Sequence, residues 1–401
     1  MKQHLVYLSM VIGLAAIGAA TGGCGAWGTK EQTSTVTPQA VPANSFVRAW
    51  GNDLKLAKDP IDEMYLRGDT LFVYTGKHLV YAIDRSGGNT RYLAEPQVSG
   101  GVLRPPMPNG EYVIYPSGST IDILTNRGRP GRTIELDKPV RSGAVGDGTK
   151  NIYIGLDHYE GAGAVAKIDI SKPYKVVEWE LMTEAAVTPT PALHKRVLYV
   201  GSEDGRIIAV TDERGQVWSL EGKGWFQTQG KFVSDIKVDD TGVYASNTDS
   251  KLYCLELLTG KIRWQYWGSA PLKTAPIVTA TMVYQYVPGQ GVVGIDKMQG
   301  EFNRKPRWMV KNAVQMLSED QQNVYLRGRD NRLLAVDKQS GQVVFQSKGK
   351  GYEKFTSNTD DALIYAATKD GRVVAIRPVL REGEVGVIVM GFAEQPIAAA
   401  K

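Results

Sequence analysis

Adjacent carboxylates are the residues of this sequence with the clearest capacity for chemistry, because two neighbouring acids can act as general acid and general base. Such pairs include Glu203-Asp204, Asp239-Asp240, Glu319-Asp320 and Asp360-Asp361. Each of these pairs lies between apolar runs, at a predicted turn, where acidic side chains are favoured by solvation and local hydrogen bonds. The turn interpretation is therefore preferred, and no catalytic residue is predicted.

Cysteine and histidine form no recognisable metal or nucleophile motif. The two cysteines are Cys24 and Cys254, and the four histidines stand far apart, at positions 4, 78, 158 and 194. Neither the C-x-x-C nor the H-E-x-x-H spacing typical of metal sites occurs. Cys254 lies on a predicted strand, so a buried structural thiol is expected. We predict neither a metal site nor a cofactor.

The elements around these residues follow a repeating unit, which is clearest in residues 196–218. The β-branched and aromatic run 197–200 predicts a strand, Asp204-Gly205 predicts a two-residue hairpin turn, and residues 206–210 predict the returning strand. A second turn leads to a third strand that ends at Trp218. One unit therefore predicts antiparallel strands joined by tight turns.

An aromatic residue marks the same position in eight copies of this unit. The markers are Phe72, Tyr112, Tyr153, Tyr199, Tyr244, Tyr284, Tyr325 and Tyr365. They recur at intervals of 40 to 46 residues, a period typical of the four-stranded blades of a propeller. An insertion at 157–163 explains one long interval. The sequence predicts an all-β fold over residues 45–392: an eight-bladed antiparallel β-propeller with four-stranded blades.

Closure of the predicted ring requires a terminal strand that completes the last blade. Residues 46–50 form a strand-like run ending in Trp50, which precedes the first marker by nearly the spacing at which Trp264 precedes Tyr284. Residues 385–390 are the alternative closing strand, or they form a strand that lies beside the N-terminal one. We favour the N-terminal run, and residues 393–401 are expected to form a tail.

The N-terminal segment is expected to be a targeting signal outside the propeller. Residues 1–24 resemble a bacterial lipoprotein signal, with an apolar core at 5–20 and small residues before Cys24, the cysteine that is lipidated in such signals. Thr21 departs from the pattern, in which Leu is usual, and ordinary signal cleavage is the alternative. Gly25 indicates, by the same resemblance, the periplasmic face of the outer membrane.

The segment that follows the signal predicts a flexible tether. Residues 25–44 are rich in Thr, Gly, Ser, Pro and Gln and offer little apolar surface to bury. A propeller attached in this way would lie near the membrane surface.

A family resemblance lies at the second turn of the repeat. Residues 254–264 (CLELLTGKIRW) and 335–345 (AVDKQSGQVVF) resemble the Ala-x-Asp-x-x-Thr-Gly-x-x-x-Trp repeat of pyrroloquinoline-quinone (PQQ)-type propellers, and the resemblance extends over residues 45–380. In that family the tryptophan docks on the neighbouring blade. The resemblance therefore implies interblade docking by Trp50, Trp218, Trp264, Trp308 and, in place of tryptophan, Phe345.

The resemblance implies one of two kinds of function. Quinone-dependent dehydrogenases of the family typically use adjacent cysteines and a calcium site, and this chain has no adjacent cysteines. The BamB-like branch consists of non-enzymatic lipoprotein scaffolds for outer-membrane β-barrel assembly, and the order of signal, Cys24, tether and eight repeats resembles that branch. We therefore expect a non-catalytic scaffold. A PQQ-dependent enzyme and a ligand-binding sensor that uses the central channel are the alternatives.

The expected partner is an envelope protein, such as an outer-membrane β-barrel assembly protein, with membrane contact through the lipid anchor. Nucleic acid is not an expected partner, because the net charge is only +5 and is scattered. Two segments that depart from the repeat are candidate contacts. The insertion supplies Asp157, His158 and Tyr159. The connection after the fourth blade supplies Trp225 and Phe226, for which core packing is the preferred alternative.

Overall fold

The computed structural model describes residues 39–40, 45–56, 58–98, 100–219, 222–298, 305–347, 351–379 and 385–388. The predicted signal with Cys24, most of the predicted tether and the predicted tail lie outside the described residues. Within the described part, no helix combines the length and the apolar character that a membrane crossing requires.

The described chain folds into eight antiparallel sheets, the blades. It starts with β1 (Gln39–Ala40) and β2 (Ser45–Asp53). Blades 1 to 3 are β3 (Ile61–Arg67), β4 (Thr70–Thr75), β5 (Val80–Asp84) and β6 (Thr90–Ala94); β7 (Met107–Asn109), β8 (Tyr112–Ser117), β9 (Thr120–Thr125) and β10 (Pro130–Glu135); β11 (Val140–Gly146), β12 (Asn151–Asp157), β13 (Gly163–Asp169) and β14 (Val177–Thr183). A 3-10 turn, Tyr159–Gly161, lies between β12 and β13.

Blades 4 to 7 continue the same order of strands. They are β15 (Ala192–His194), β16 (Val197–Gly201), β17 (Arg206–Thr211) and β18 (Trp225–Gln227); β19 (Lys237–Asp239), β20 (Gly242–Ser246), β21 (Lys251–Leu255) and β22 (Ile262–Trp267); β23 (Ile277–Val278), β24 (Met282–Val287), β25 (Gly291–Asp296) and β26 (Trp308–Lys311); β27 (Ala313–Glu319), β28 (Asn323–Gly328), β29 (Leu333–Asp337) and β30 (Val343–Gln346). Blade 8 contains β31 (Lys354–Thr356), β32 (Ile364–Ala367), β33 (Arg372–Val379) and β34 (Val385–Ile388). The predicted eight-bladed all-β propeller is confirmed.

The marker aromatics lie on the second strand of their blades, and six of the eight lie opposite a small residue of the third strand. Tyr199, for example, pairs with Ala209, and Tyr244 pairs with Cys254. Paired residues share one face of a sheet, so the small partner leaves room for the ring. Both tyrosines are almost fully buried. The hydrophobic core therefore contains layers of aromatic side chains that pack between neighbouring blades.

Two local predictions are wrong. Tyr112 is exposed at the start of β8, whereas Tyr115 is buried and meets Phe72 of blade 1 edge-on, with ring centroids 6.5 Å apart. The polar Glu111, which breaks the apolar pattern before Tyr112, indicated this difference. The sequence also predicts a third strand of blade 4 that ends at Trp218. Residues 216–218 instead make only an isolated bridge to β17, and the strand that pairs with β17 is β18.

The N-terminal strand closes the ring, as the sequence favours. β2 pairs antiparallel with β33, from Ser45 opposite Val379 to Asp53 opposite Arg372. The C-terminal run forms β34, which flanks β2 on its outer side and pairs in turn with β1. Blade 8 therefore has six strands, in the order β31, β32, β33, β2, β34 and β1 from the inside outward.

A cluster of hydrogen bonds around Arg85, just after β5, also joins the first and last blades. The guanidinium donates to the side chains of four blade 8 residues and to one blade 1 carbonyl: Asp360 (2.6 Å), Asp361 (2.7 Å), Asn358 (3.0 Å), Tyr365 (3.1 Å) and Gly68 (3.1 Å). The carbonyl of Arg85 accepts the indole N–H of Trp50 on β2 at 2.9 Å. Side-chain contacts thus reinforce the closure made by β2.

Candidate functional site

The tryptophans predicted as interblade docking residues form a row of indole hydrogen bonds across the blade seams. Each N–H donates to a backbone carbonyl of the next blade, which suits an apolar ring with one polar donor. The bonds are Trp50 to Arg85 (2.9 Å), Trp218 to Leu257 (2.8 Å), Trp264 to Lys297 (3.1 Å) and Trp308 to Lys338 (2.8 Å). The ring of Phe345 lies 4.9 Å from that of Phe46 on β2.

Trp179 on β14 also belongs to this row, although the repeat spacing did not predict it. Its indole N–H donates to the carbonyl of Asp212 in blade 4 at 3.2 Å. The hairpin before Trp179 contains the insertion and is longer than in other blades. Tyr153 therefore pairs with Lys167, whereas most markers pair with the residue ten positions after them. Trp179 is therefore out of phase with the repeat. A repeat alignment that allowed for the insertion would have found it.

Glycines of the next blade make room for the docked rings. A Cβ atom at Gly341 would lie 2.4 Å from Trp308, and one at Gly260 would lie 2.7 Å from Trp218. Both glycines have φ of +73°, a conformation that other residues rarely adopt. The glycine of the repeat is thus required for its backbone conformation and for the close approach of the tryptophan.

Replacing Gly341 with alanine is expected to lower the free energy of unfolding by about 3 kcal/mol, since it adds left-handed strain and displaces Trp308. Urea denaturation measures the difference. Gly289→Ala is the matched control, because Gly289 has φ of +81° but no neighbouring atom within 4 Å of a Cβ position. It should lose about 1 kcal/mol, from the backbone strain alone. Equal losses in both variants would contradict a role for contact with Trp308.

The predicted contact loop between β12 and β13 presents an aromatic side chain to solvent. Tyr159 is 81% exposed, and its ring meets that of His158 edge-on at 5.1 Å. At the base of the loop, a carboxylate oxygen of Asp157 accepts a hydrogen bond from Nε of Arg141 at 2.5 Å. The loop is therefore fixed at its base, while the tyrosine is free to meet a partner.

The second predicted contact segment forms β18, and one of its two aromatics is a core residue. Phe226 is 6% exposed and meets Tyr253 of blade 5 edge-on at 5.1 Å. It is therefore excluded as a partner contact, because β18 completes the sheet and turns this side chain inward. Trp225 is half-buried beneath Arg206, whose guanidinium carbon lies 4.6 Å from the ring centroid. Trp225 remains a candidate contact.

Strand register places Tyr159 at the same end of the propeller as two other exposed apolar side chains. Met182 lies on β14 opposite Ala164, beside the contact loop. Trp267 ends β22, next to the first residue of β21, and is 54% exposed. We call the surface formed by Tyr159, Met182, Trp225 and Trp267 the contact face. It extends over blades 3 to 5.

The charges around the contact face are paired and of both signs. The ion pairs are Arg141 with Asp157 (2.5 Å), Arg206 with Glu184 (2.7 Å) and Lys231 with Glu203 (3.1 Å). Such pairing leaves no single-sign field of the kind that binds a polyanion. Exposed aromatics within a mixed polar rim are typical of a protein–protein interface.

A central cavity of about 800 Å³ lies between the innermost strands of the blades. Its lining includes Glu63, Tyr65, Tyr286, Arg327 and Phe355. Burial raises the pKa of Glu63, and it raises the pKa of Tyr65 to about 12. The volume falls within the range of small-molecule binding sites, so the cavity is a second candidate site.

The acidic pairs and the cysteine singled out in the sequence have structural roles in the described part of the chain. Within them, no three His, Cys, Asp or Glu side chains are placed to hold a metal ion. All four acidic pairs from the sequence contribute to ion pairs: Glu203 with Lys231, Asp239 with Lys297, Glu319 with Lys338, and Asp361 with Arg85. Burial raises the pKa of Cys254 to about 12, so this thiol is unreactive near neutral pH.

The fold defines the class: this chain is an eight-bladed β-propeller, and its tryptophan-bearing repeats resemble those of the PQQ-like type. Residues 211–303 match the family model described as outer membrane protein assembly factor BamB, which confirms the resemblance seen in the sequence. The matched segment extends from the end of β17 into blade 6. No curated protein matches the sequence.

Solved structures of several functions share this architecture. BamB from Moraxella catarrhalis superposes with a TM-score of 0.61 at 17% identity, over 83% of this chain and 97% of that chain. The computationally designed Ika8 protein gives 0.63 at 12% identity, over 83% and 100%. Quinohemoprotein alcohol dehydrogenase from Comamonas testosteroni gives 0.62 at 12% identity, over 88% and 78%. Similarity at these identities shows the fold alone.

Proposed function

We propose that this protein is a non-catalytic scaffold lipoprotein of the cell envelope that acts in the assembly of outer-membrane β-barrel proteins. The match of residues 211–303 to the BamB assembly-factor model carries the proposal. The matched segment includes Trp225 and Trp267, which belong to the contact face. Trp267 is 54% exposed and Trp225 is half-buried, and tryptophan is among the side chains that most often dominate binding between proteins.

The proposal includes a lipid anchor at Cys24 and a flexible tether over residues 25–44. A flexible chain of twenty residues has a root-mean-square span of about 25 Å. The propeller would thus stay near the periplasmic face of the outer membrane, where the anchor raises its effective concentration for a membrane-bound partner. The partner is an outer-membrane β-barrel assembly protein that docks on the contact face.

Affinity purification of the anchored protein is expected to recover such an assembly protein, identified by mass spectrometry. Cys24→Ala is expected to reduce recovery, because it removes the anchor. The double variant Tyr159→Ala, Trp267→Ala should reduce recovery about tenfold or more, since truncating interface aromatics costs about 2 kcal/mol or more. Its urea midpoint should match the wild type, because both side chains are exposed.

Tyr174→Ala is the matched control for this experiment. Tyr174 is 83% exposed, like Tyr159, but it lies in the turn between β13 and β14, at the opposite end of blade 3. The control should bind as the wild type does. Failure of the wild type to recover any barrel-assembly component would refute the assembly role. An equal loss with Tyr174→Ala would refute only the contact face.

A further inference from the structure

We infer that the central cavity binds a small organic carboxylate, which Arg327 of β28 and Phe355 of β31 hold between blades 7 and 8. This site is independent of the contact face and of the anchor. Both residues line the cavity, and the guanidinium carbon of Arg327 lies 5.4 Å from the centroid of the Phe355 ring.

The side chain of Arg327 is half-buried, and the hydrogen-bonding capacity of its guanidinium is not fully used within the protein. Its Nε atom is buried without an acceptor, and among the described residues no carboxylate forms an ion pair with it. Burial lowers its pKa. Gln315, which pairs with it across the strands, donates its amide to Ser357 at 3.2 Å instead. Partial burial of this charge has a desolvation cost, which an anion bound in the cavity would offset.

Carboxylates elsewhere in the cavity wall already have contacts. Asp360 pairs with Arg85 at 2.6 Å, and Asp239 pairs with Lys297. Asp235 accepts the backbone N–H of Thr190 at 2.9 Å. These three acids are therefore engaged in the wall. The remaining acid, Glu63, has Lys354 and Asp62 as its charged neighbours and not Arg327. An anion from solution is thus the partner that would complete the site around Arg327.

The lining around Arg327 selects the class of anion. Phe355, Tyr286, Val292 and Met316 supply aromatic and apolar surface within the same cavity. Arginine over an aromatic ring presents its fork of N–H donors to a planar carboxylate. A carboxylate that carries an aromatic or apolar group matches both features, and a cavity of about 800 Å³ accommodates a molecule of that kind.

Isothermal titration of the full-length chain in non-ionic detergent with benzoate tests the inference. Benzamide has nearly the same shape without the charge and controls for partition into detergent. Benzoate is expected to bind at least about tenfold more tightly than benzamide, the ratio that one charge-assisted hydrogen bond supplies. Inorganic phosphate is the third probe, and it should bind more weakly than benzoate because it gains nothing from the apolar lining.

Arg327→Met should abolish the preference for benzoate, and Arg327→Lys should keep part of it. Arg329→Met is the matched control: it removes the same charge two residues away, from an exposed position in the turn after β28, and should bind as the wild type does. Without ligand, Arg327→Met should raise the melting temperature, because it removes an unpaired charge and keeps an apolar stem.

Three results would overturn the inference. The first is equal binding of benzoate and benzamide, or no binding of either. The second is an equal loss of benzoate binding in Arg329→Met. The third is a lower melting temperature of ligand-free Arg327→Met, which would assign Arg327 a structural role. Phosphate that binds as tightly as benzoate would overturn the assignment to organic carboxylates.

Discussion

Replacing Trp264 with alanine is expected to lower the free energy of unfolding by about 4 kcal/mol, the usual cost of removing a large buried aromatic side chain. The residue is 1% exposed, and its ring lies 6.0 Å from that of Tyr244. Its indole N–H donates to the carbonyl of Lys297 in blade 6 at 3.1 Å. Alanine would leave a cavity at the seam and a carbonyl without its donor. Urea denaturation followed by far-ultraviolet circular dichroism measures the loss.

Trp267→Ala is the control for this prediction, because it removes the same side chain three residues later on the same strand. Trp267 is 54% exposed, so its loss should change stability by no more than about 0.5 kcal/mol. Trp264→Phe should fall between the two, since it keeps an aromatic ring and loses the N–H donor. If Trp264→Ala proved as stable as Trp267→Ala, docking at the seam would not hold blades 5 and 6 together.

The repeat was sufficient to predict the fold because six of the eight blades meet the same local physical requirement, a small residue opposite the marker ring. Tyr199 needs a small residue opposite it, and Ala209 stands there. Trp308 needs a neighbour without a Cβ atom, and Gly341 supplies it. Because these requirements recur every 40 to 46 residues, they are visible as a repeat in a single sequence. The ring-closing role of β2 follows from the same repeat, because Trp50 stands where a docking tryptophan is expected.

The side chains of the candidate sites leave no such pattern, because distant parts of the chain bring them together. Arg327 and Phe355 belong to different blades, and the cavity between them depends on the closed ring. The burial of Phe226 depends on whether its segment joins the sheet, and a short run in a long connection does not decide that. Tyr159 was found from the sequence because it lies in an insertion, where packing does not explain the residue.

Arg85→Met is expected to lower the free energy of unfolding by about 3 kcal/mol, because it removes a largely buried guanidinium whose several hydrogen bonds join the first and last blades. The side chain of Arg85 is 14% exposed. Methionine keeps much of the apolar stem and removes every guanidinium hydrogen bond to blade 8. Urea denaturation measures the loss, and a double-mutant cycle with Asp361→Asn should give a coupling energy of about 1 to 3 kcal/mol.

Arg91→Met is the control, since Arg91 also contacts two carboxylates, but both belong to blade 1: Asp69 at 2.9 Å and Asp84 at 2.5 Å. Its ion pairs are more exposed, and its loss should cost no more than about 1 kcal/mol. Hydrogen exchange separates the two effects further. Arg85→Met should speed exchange of the amides that pair β2 with β33, because only the side chains of Trp50 and Asn52 then hydrogen-bond the closing strand to the first blade. Arg91→Met should leave those amides protected, and equal exchange in the two variants would show that β2 closes the ring without help from Arg85.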